Sequence, residues 1–205
     1  MQTVRTEPPL GELGYLNEVK RKLLHLFALT IPIGYYWVPR WTAAGIIFVF
    51  FLGSLVIDLG RFRHWRVQRL WTWWVNPIVR PRESVNFTGA THILLSGWLC
   101  PLLFSRPAAA CGMIIIILGD VAAALIGRRW GRHRYAGNRS FEGSLGFLAG
   151  GVIAGVATPG VPTAIGLAAA LLATIVEAFS RHIDDNLTVP LLTGLFVHLA
   201  LRGLQ

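Results

Sequence analysis

Residues 108–128 read AAACGMIIIILGDVAAALIGR, a run of membrane-grade hydrophobicity with a single carboxylate, Asp120, towards its end. The run has about the 20 residues an α-helix needs to cross the hydrocarbon layer. A carboxylate at that depth costs about 2.5–3.5 kcal/mol on insertion scales, so it normally faces a protein interior or a wet cavity and has a function. A basic, glycine-containing stretch follows at once: Arg128, Arg129, Gly131, Arg132, His133, Arg134, Asn138, Arg139 and Ser140. An acid at the membrane edge beside clustered cations suggests phosphate handling.

The remaining composition fits an integral membrane protein. Of the 205 residues, 54% are hydrophobic and only 14% are charged, against about 25% charged in soluble domains. Mean hydropathy is +0.54. The apolar runs are continuous rather than alternating, which argues against a β-barrel and for an all-α bundle. The formal net charge is +9, but the positive residues cluster between hydrophobic runs. That is the signature of membrane topology, not of nucleic-acid binding. Cys100 and Cys111 lie in apolar surroundings and read as packing residues, with no zinc or redox spacing around them. The acidic and proline residues before the first apolar run do not resemble a cleaved signal peptide.

Seven spans are expected, at about 23–39, 42–58, 88–104, 108–127, 144–158, 161–178 and 187–200. They form a polytopic transmembrane bundle, a single membrane-embedded domain over 18–205 behind an N-terminal tail, 1–17. The basic links (Lys20 to Lys22, Arg61 to Arg82, Arg128 to Arg139, and Arg181) alternate with links poor in charge around Arg40, Arg106 and Thr158-Pro159-Gly160. The positive-inside rule places the N-terminus and every polar cluster on the cytoplasmic face, in the inner membrane if the cell is bacterial. Within residues 61–79, Val67, Leu70, Trp71, Trp74, Val75 and Ile78 recur at helical spacing, with Arg66, Gln68, Arg69, Thr72 and Asn76 opposite. That pattern predicts an amphipathic helix in the headgroup layer with tryptophan anchors. Gly143, Gly146, Gly150, Gly151 and Gly155 include G-x-x-x-G pairs that permit close helix contact.

Four polar clusters converge on that face. Glu18, Arg21, Lys22 and His25 share one side of a helix. Arg80, Arg82 and Glu83 precede Thr88, His92 and Ser96, a polar stripe entering the membrane. Asp120 shares its helix face with Ala123, Ala124 and Gly127, which allow close approach, and Arg139, Ser140 and Glu142 open the next span. Glu177 ends one span, and Asp184, Asp185 and Asn186 open the last. Helix starts and arginine forks favour anions. The pattern of a Walker P-loop is absent.

Taken in order, these motifs resemble the polytopic lipid-kinase family that includes dolichol kinase, phytol kinase and the CTP-dependent diacylglycerol kinase. The matching stretches are Glu18 to His25, Arg80 to Glu83 with Thr88 to Thr91, Gly119-Asp120 to Gly127-Arg128, Arg139 to Ser144, and Asp185 to Leu191. That family is similar to the phosphatidate cytidylyltransferases in fold and in using CTP. The resemblance implies transfer of the CTP γ-phosphate to a lipid hydroxyl with Mg²⁺, and functional positions at Arg21, Lys22, Asp120 and Gly127. One position departs: the family usually has Lys where this chain has Arg139, which trades a compact ammonium for a fork.

On this reading Asp120 binds Mg²⁺, with Asp185 or Glu142 assisting. Arg21, Lys22, Arg128 and Arg139 hold the triphosphate beside Gly127, Asn138 and Ser140, and Asn186 orients the nucleotide or the metal shell. A carboxylate or His25 takes the proton of a lipid alcohol such as polyprenol, phytol or diacylglycerol. Two alternatives are a CTP-dependent cytidylyltransferase making a CDP-lipid, and a transporter or scaffold without turnover.

Overall fold

The computed structural model describes residues 15–64, 66, 69, 86–136, 139–180 and 183–204. Most of the expected interfacial helix, the motif from Arg80 to Glu83, Asn138, Arg181 and His182 lie outside the described residues, as does the side chain of Glu18. The described chain is helical apart from one small hairpin. In order come α1 (Tyr15–Phe27), α2 (Thr30–Gly34), α3 (Arg40–Arg63), α4 (Gly89–Leu103), α5 (Arg106–Trp130), β1 (Arg134–Ala136), β2 (Arg139–Ser140), α6 (Phe141–Ala157), α7 (Thr163–Phe179) and α8 (Asp185–Arg202). By length and apolarity, α3 and α5 can each cross a membrane, and α4, α6 and α7 are shorter apolar helices.

Six of the seven expected spans correspond to single helices, α3 to α8. The first does not. The stretch 23–39 divides into the end of α1, the one-turn α2 and an irregular approach to Arg40. Pro32 lacks the N–H that would bond back to Ala28, and its ring crowds that carbonyl, so the helix cannot run through. Thr30 instead turns its hydroxyl back to the Phe27 carbonyl at 2.8 Å. Helix α1 is built inside out. Lys22 on one face is buried, while Leu23, Leu24 and Phe27 are exposed. Leu26 packs against the core.

Helix α5 is the hub. Ala108 to Met113 and Ile115 to Ile117 are all buried, and α1, α2, α4, α6, α7 and α8 each pack against it. Glycines let the backbones meet. A Cβ on Gly150 would stand 2.7 Å from the Leu118 carbonyl oxygen, and one on Gly146 2.9 Å from that of Ala122. Gly112 meets the Pro190 carbonyl of α8 in the same way at 2.6 Å. Gly155 and Gly166 face each other where α6 meets α7, each lying where the other's Cβ would go. Close backbone packing of this kind holds helices together through van der Waals contact.

The bundle ends are fastened by side chains. At one end Arg40 donates to the carbonyls of Pro101, Leu102 and Phe104, which terminate α4. Arg106 reciprocates from α5 to the carbonyls of Tyr36 and Val38. At the other end Asp58, 1% exposed, accepts from the Arg61 Nε at 2.8 Å, the Thr88 N–H at 2.8 Å and the Thr91 hydroxyl at 2.7 Å. Arg61 also reaches the Asn86 carbonyl. This carboxylate therefore joins the end of α3 to the start of α4.

Candidate active site

The inward face of α1 meets the second half of α5 at Asp120. The Lys22 ammonium, 2% exposed, pairs with the Asp120 carboxylate, which is itself 16% exposed. The His25 Nε2 lies 3.6 Å from the same oxygen. The i, i+3 spacing of Lys22 and His25 on α1 delivers both to one point. Arg21 and Arg128 are half-buried on the same two helices.

A second cluster forms from the hairpin and the facing ends of α7 and α8. Antiparallel pairing of Arg134 with Ser140 and of Ala136 with Arg139 turns the chain so that Arg139 leads into the bundle. Its Nε donates to Glu177 at 2.8 Å, and Nη2 lies 3.5 Å from Asp185. Nη1 donates to the Ser180 carbonyl at 2.8 Å. One guanidinium fork thus grips the end of α7 and the start of α8, which a lysine could not do in one geometry. Asp120 and Asp185 both lie within charge–charge range of Glu177. Three carboxylates and three basic groups (Lys22, His25, Arg139) therefore share one region.

The start of α8 is buried and firmly placed. Asp184 caps it, accepting from the Asn186 N–H at 3.0 Å and from the Asn186 Nδ2 at 2.8 Å. Ser96 donates to the Asn186 carbonyl at 2.8 Å, and the His92 Nδ1 stands 3.9 Å from Asp184. The polar stripe of α4 is thereby accounted for: Thr88 caps the helix, His92 bonds the Thr88 carbonyl, and Ser96 ties α4 to α8. The Asn186 side-chain oxygen is buried and has no hydrogen-bond partner among the described residues.

Ser140 and Gly127 serve the backbone. The Ser140 hydroxyl accepts from the Gly143 N–H at 3.1 Å and caps α6. A Cβ on Gly127 would stand 3.2 Å from the Gly143 Cα, so glycine is what lets α5 cross α6 here. Glu142 engages His133, whose Nδ1 lies 2.7 Å away and whose N–H reaches both carboxylate oxygens at 3.3 Å. The His133 side-chain bond, then backbone N–H bonds, lower its pKa to about 2. Among the described residues no three His, Cys, Asp or Glu side chains stand close enough to hold a metal ion.

Sequence reasoning passed over Asp58, which it read only as the end of a span. The available signal was Asp58-x-x-Arg61, an i, i+3 ion pair at the end of an apolar run.

No family model and no solved structure matches the chain. Curated proteins do. An uncharacterized protein of Rickettsia prowazekii is 29% identical over 184 residues, 85% of this chain and 90% of its own length. The phytol kinase of Synechocystis sp. is 33% identical over 192 residues, 85% of this chain and 76% of its own. The CTP-dependent diacylglycerol kinase 1 of Schizosaccharomyces pombe is 26% identical over 209 residues, 89% of this chain and 93% of its own. These relatives agree with the ordered motifs of the sequence: the chain belongs to the family of CTP-dependent lipid kinases.

Proposed function

We propose that the protein is a polytopic membrane enzyme that transfers the γ-phosphoryl group of CTP to the hydroxyl of a lipid alcohol. The observation that carries this reading is the meeting of Lys22, His25 and Asp120 with Arg139, Glu177 and Asp185 at one end of an otherwise apolar bundle. Phosphoryl transfer requires positioning and charge neutralisation more than covalent help. Paired cations and carboxylates supply both.

The membrane placement rests on the outer surface. Val49, Phe50 and Val56 on α3, Leu145 and Ile153 on α6, and Leu171 on α7 are each more than half exposed. An apolar belt of that extent is not left in water by a soluble protein. With the basic links at the Asp120 end, that end faces the cytoplasm.

Lys22 is paired with Asp120, and Arg139 is paired with Glu177 and Asp185. A triphosphate offers both cations a stronger partner, since phosphate oxygens accept charge-assisted bonds from ammonium and guanidinium. Asp120 and Asp185 would then be the residues to hold Mg²⁺, an ion commonly bound by one or two carboxylates beside substrate phosphates. Two carboxylates beside paired cations suit a site shared with substrate phosphates, and among the described residues no three such side chains form an all-protein cage. When bound, the ion would neutralise charge developing on the transferred group. The acceptor oxygen attacks the γ-phosphorus, the bond to the β,γ-bridging oxygen breaks, and CDP departs. His25, beside Asp120, takes the hydroxyl proton. The lipid alcohol is of the phytol, polyprenol or diacylglycerol class, with its tail between helices.

Purified protein with Mg²⁺, a panel of lipid alcohols and either γ- or α-labelled CTP tests the reading. Label should pass to an alcohol only from the γ position. Label passing from the α position to phosphatidate would make the protein a cytidylyltransferase. Absence of transfer from folded protein in both arms would favour a transporter or scaffold.

A further inference from the structure

At the end of the bundle away from Asp120, a cavity of about 540 Å³ opens between the starts of α3 and α5 and the end of α8. On α5 alone, 14 residues separate Arg106 from Asp120, a rise of about 21 Å. Arg40, Ser105, His198 and Arg202 line the cavity, and among the described residues no carboxylate does so. The described lining therefore carries two cations and no anion.

The donors there are placed. The Nε and Nη2 of Arg40 are taken by carbonyls at the end of α4, which fixes the guanidinium and leaves Nη1 without a bond among the described residues. The Ser105 N–H donates to the His198 Nδ1 at 3.0 Å. A ring that accepts at Nδ1 is neutral and carries its proton on Nε2, which is then a donor. The Ser105 hydroxyl is buried with no hydrogen-bond partner among the described residues, although Ser105 is the N-cap of α5. The positive end of a 25-residue helix adds to the same potential. Guanidinium, hydroxyl, imidazole N–H and helix start together match a phosphate.

An apolar cavity of about 400 Å³ adjoins the same loops, lined by Ile33, Tyr36, Trp37, Ile114, Ala157 and Pro159. Pro159 lines this one and its neighbour Gly160 lines the polar one, while the Tyr36 hydroxyl donates to the Pro159 carbonyl at 3.0 Å. The geometry points to a binding site for an anionic phospholipid on the membrane face opposite the active site, with its phosphate among Arg40, Ser105, His198 and Arg202 and a stretch of acyl chain in the apolar cavity. The site takes an intact lipid and performs no chemistry. It rests on the membrane-spanning placement of the helices but not on the transferred group, so its test does not read phosphoryl transfer.

Full-length protein in phosphatidylcholine nanodiscs would be titrated with phosphatidylglycerol, with more phosphatidylcholine, or with inorganic phosphate, reading unfolding temperature and lipid retained in native mass spectrometry. Phosphatidylglycerol should raise the unfolding temperature and be retained, whereas the other two should do neither. In Arg202→Gln, and separately in His198→Phe, phosphatidylglycerol should bind about tenfold more weakly, as expected for loss of one hydrogen bond to a charged group. Arg202 makes none of the carbonyl contacts that Arg40 makes, so its variant should fold; Arg202→Lys should retain part of the affinity. Equal effects of phosphatidylcholine and phosphatidylglycerol, equal effects of inorganic phosphate, or unchanged binding in both variants would each overturn the proposal.

Discussion

The Lys22 ammonium, 2% exposed, is paired with the carboxylate of Asp120, joining the basic motif of α1 to the acid in the apolar run of α5. Removing one member of a buried pair leaves the other uncompensated, at a cost of about 3–5 kcal/mol. Asp120→Asn is therefore expected to abolish transfer and also to lower stability in reversible unfolding in mixed micelles. Adding Lys22→Met should return much of that stability without restoring activity. Full stability in the single variant would show that the pair does not hold α1 in place.

Arg139→Lys keeps the charge and loses the fork. A single ammonium cannot serve Glu177, Asp185 and the Ser180 carbonyl together. Stability should fall by about 1–3 kcal/mol, and KM for CTP should rise more than kcat falls. Arg139→Gln should remove measurable turnover. Steady-state kinetics beside thermal unfolding separates the two effects.

Asp58 is buried with as much care as Asp120, yet its oxygens are spent on Arg61, Thr88 and Thr91. Asp58→Asn is expected to cost about 3–5 kcal/mol of stability. In the fraction that remains folded, KM for CTP should be unchanged. A raised KM at full stability would instead place Asp58 in the nucleotide site.

Gly155 lies where α6 and α7 touch backbone to backbone, and a Cβ there would run into the Gly166 carbonyl. Gly155→Ala should cost about 1–3 kcal/mol through overpacking. Gly45, on an exposed face of α3, has nothing within 4 Å of an added Cβ. Gly45→Ala should be neutral or gain up to about 1 kcal/mol from helix propensity. Unfolding of the two variants side by side tests the packing account.

The Glu142 pKa is lowered to about 2 by its bond from His133. A depressed carboxylate contributes stability above its unfolded pKa and loses it as pH falls through the folded value. The Glu142 contribution should therefore fade as pH falls from 4.5 towards about 2. The stability difference between wild type and Glu142→Gln should shrink over that acid range. A difference that does not shrink there would mean that the bond from His133 does not hold the Glu142 pKa down.

Much of this architecture was legible in the sequence because it depends on local pattern. The apolar run at 108–128 announces α5 and isolates Asp120, and the glycine spacing of 143–155 gives the face that α6 presents to α5. What escaped was of two kinds. Local chemistry overrode hydrophobicity at Pro32, which divided the first expected span. Pairings between distant segments had no local trace: Lys22 with Asp120, Arg139 with Glu177, and Arg40 and Arg106 with each other's loops. Asp58 lay between these cases, since its i, i+3 arginine was visible while its threonine partners on α4 were not.

The most direct test is transfer of γ-labelled phosphate from CTP to a panel of lipid alcohols by wild type and Asp120→Asn, with both shown to be folded. The account requires label on an alcohol with wild type and none with the variant. Equal transfer by the two proteins would contradict the central role of Asp120.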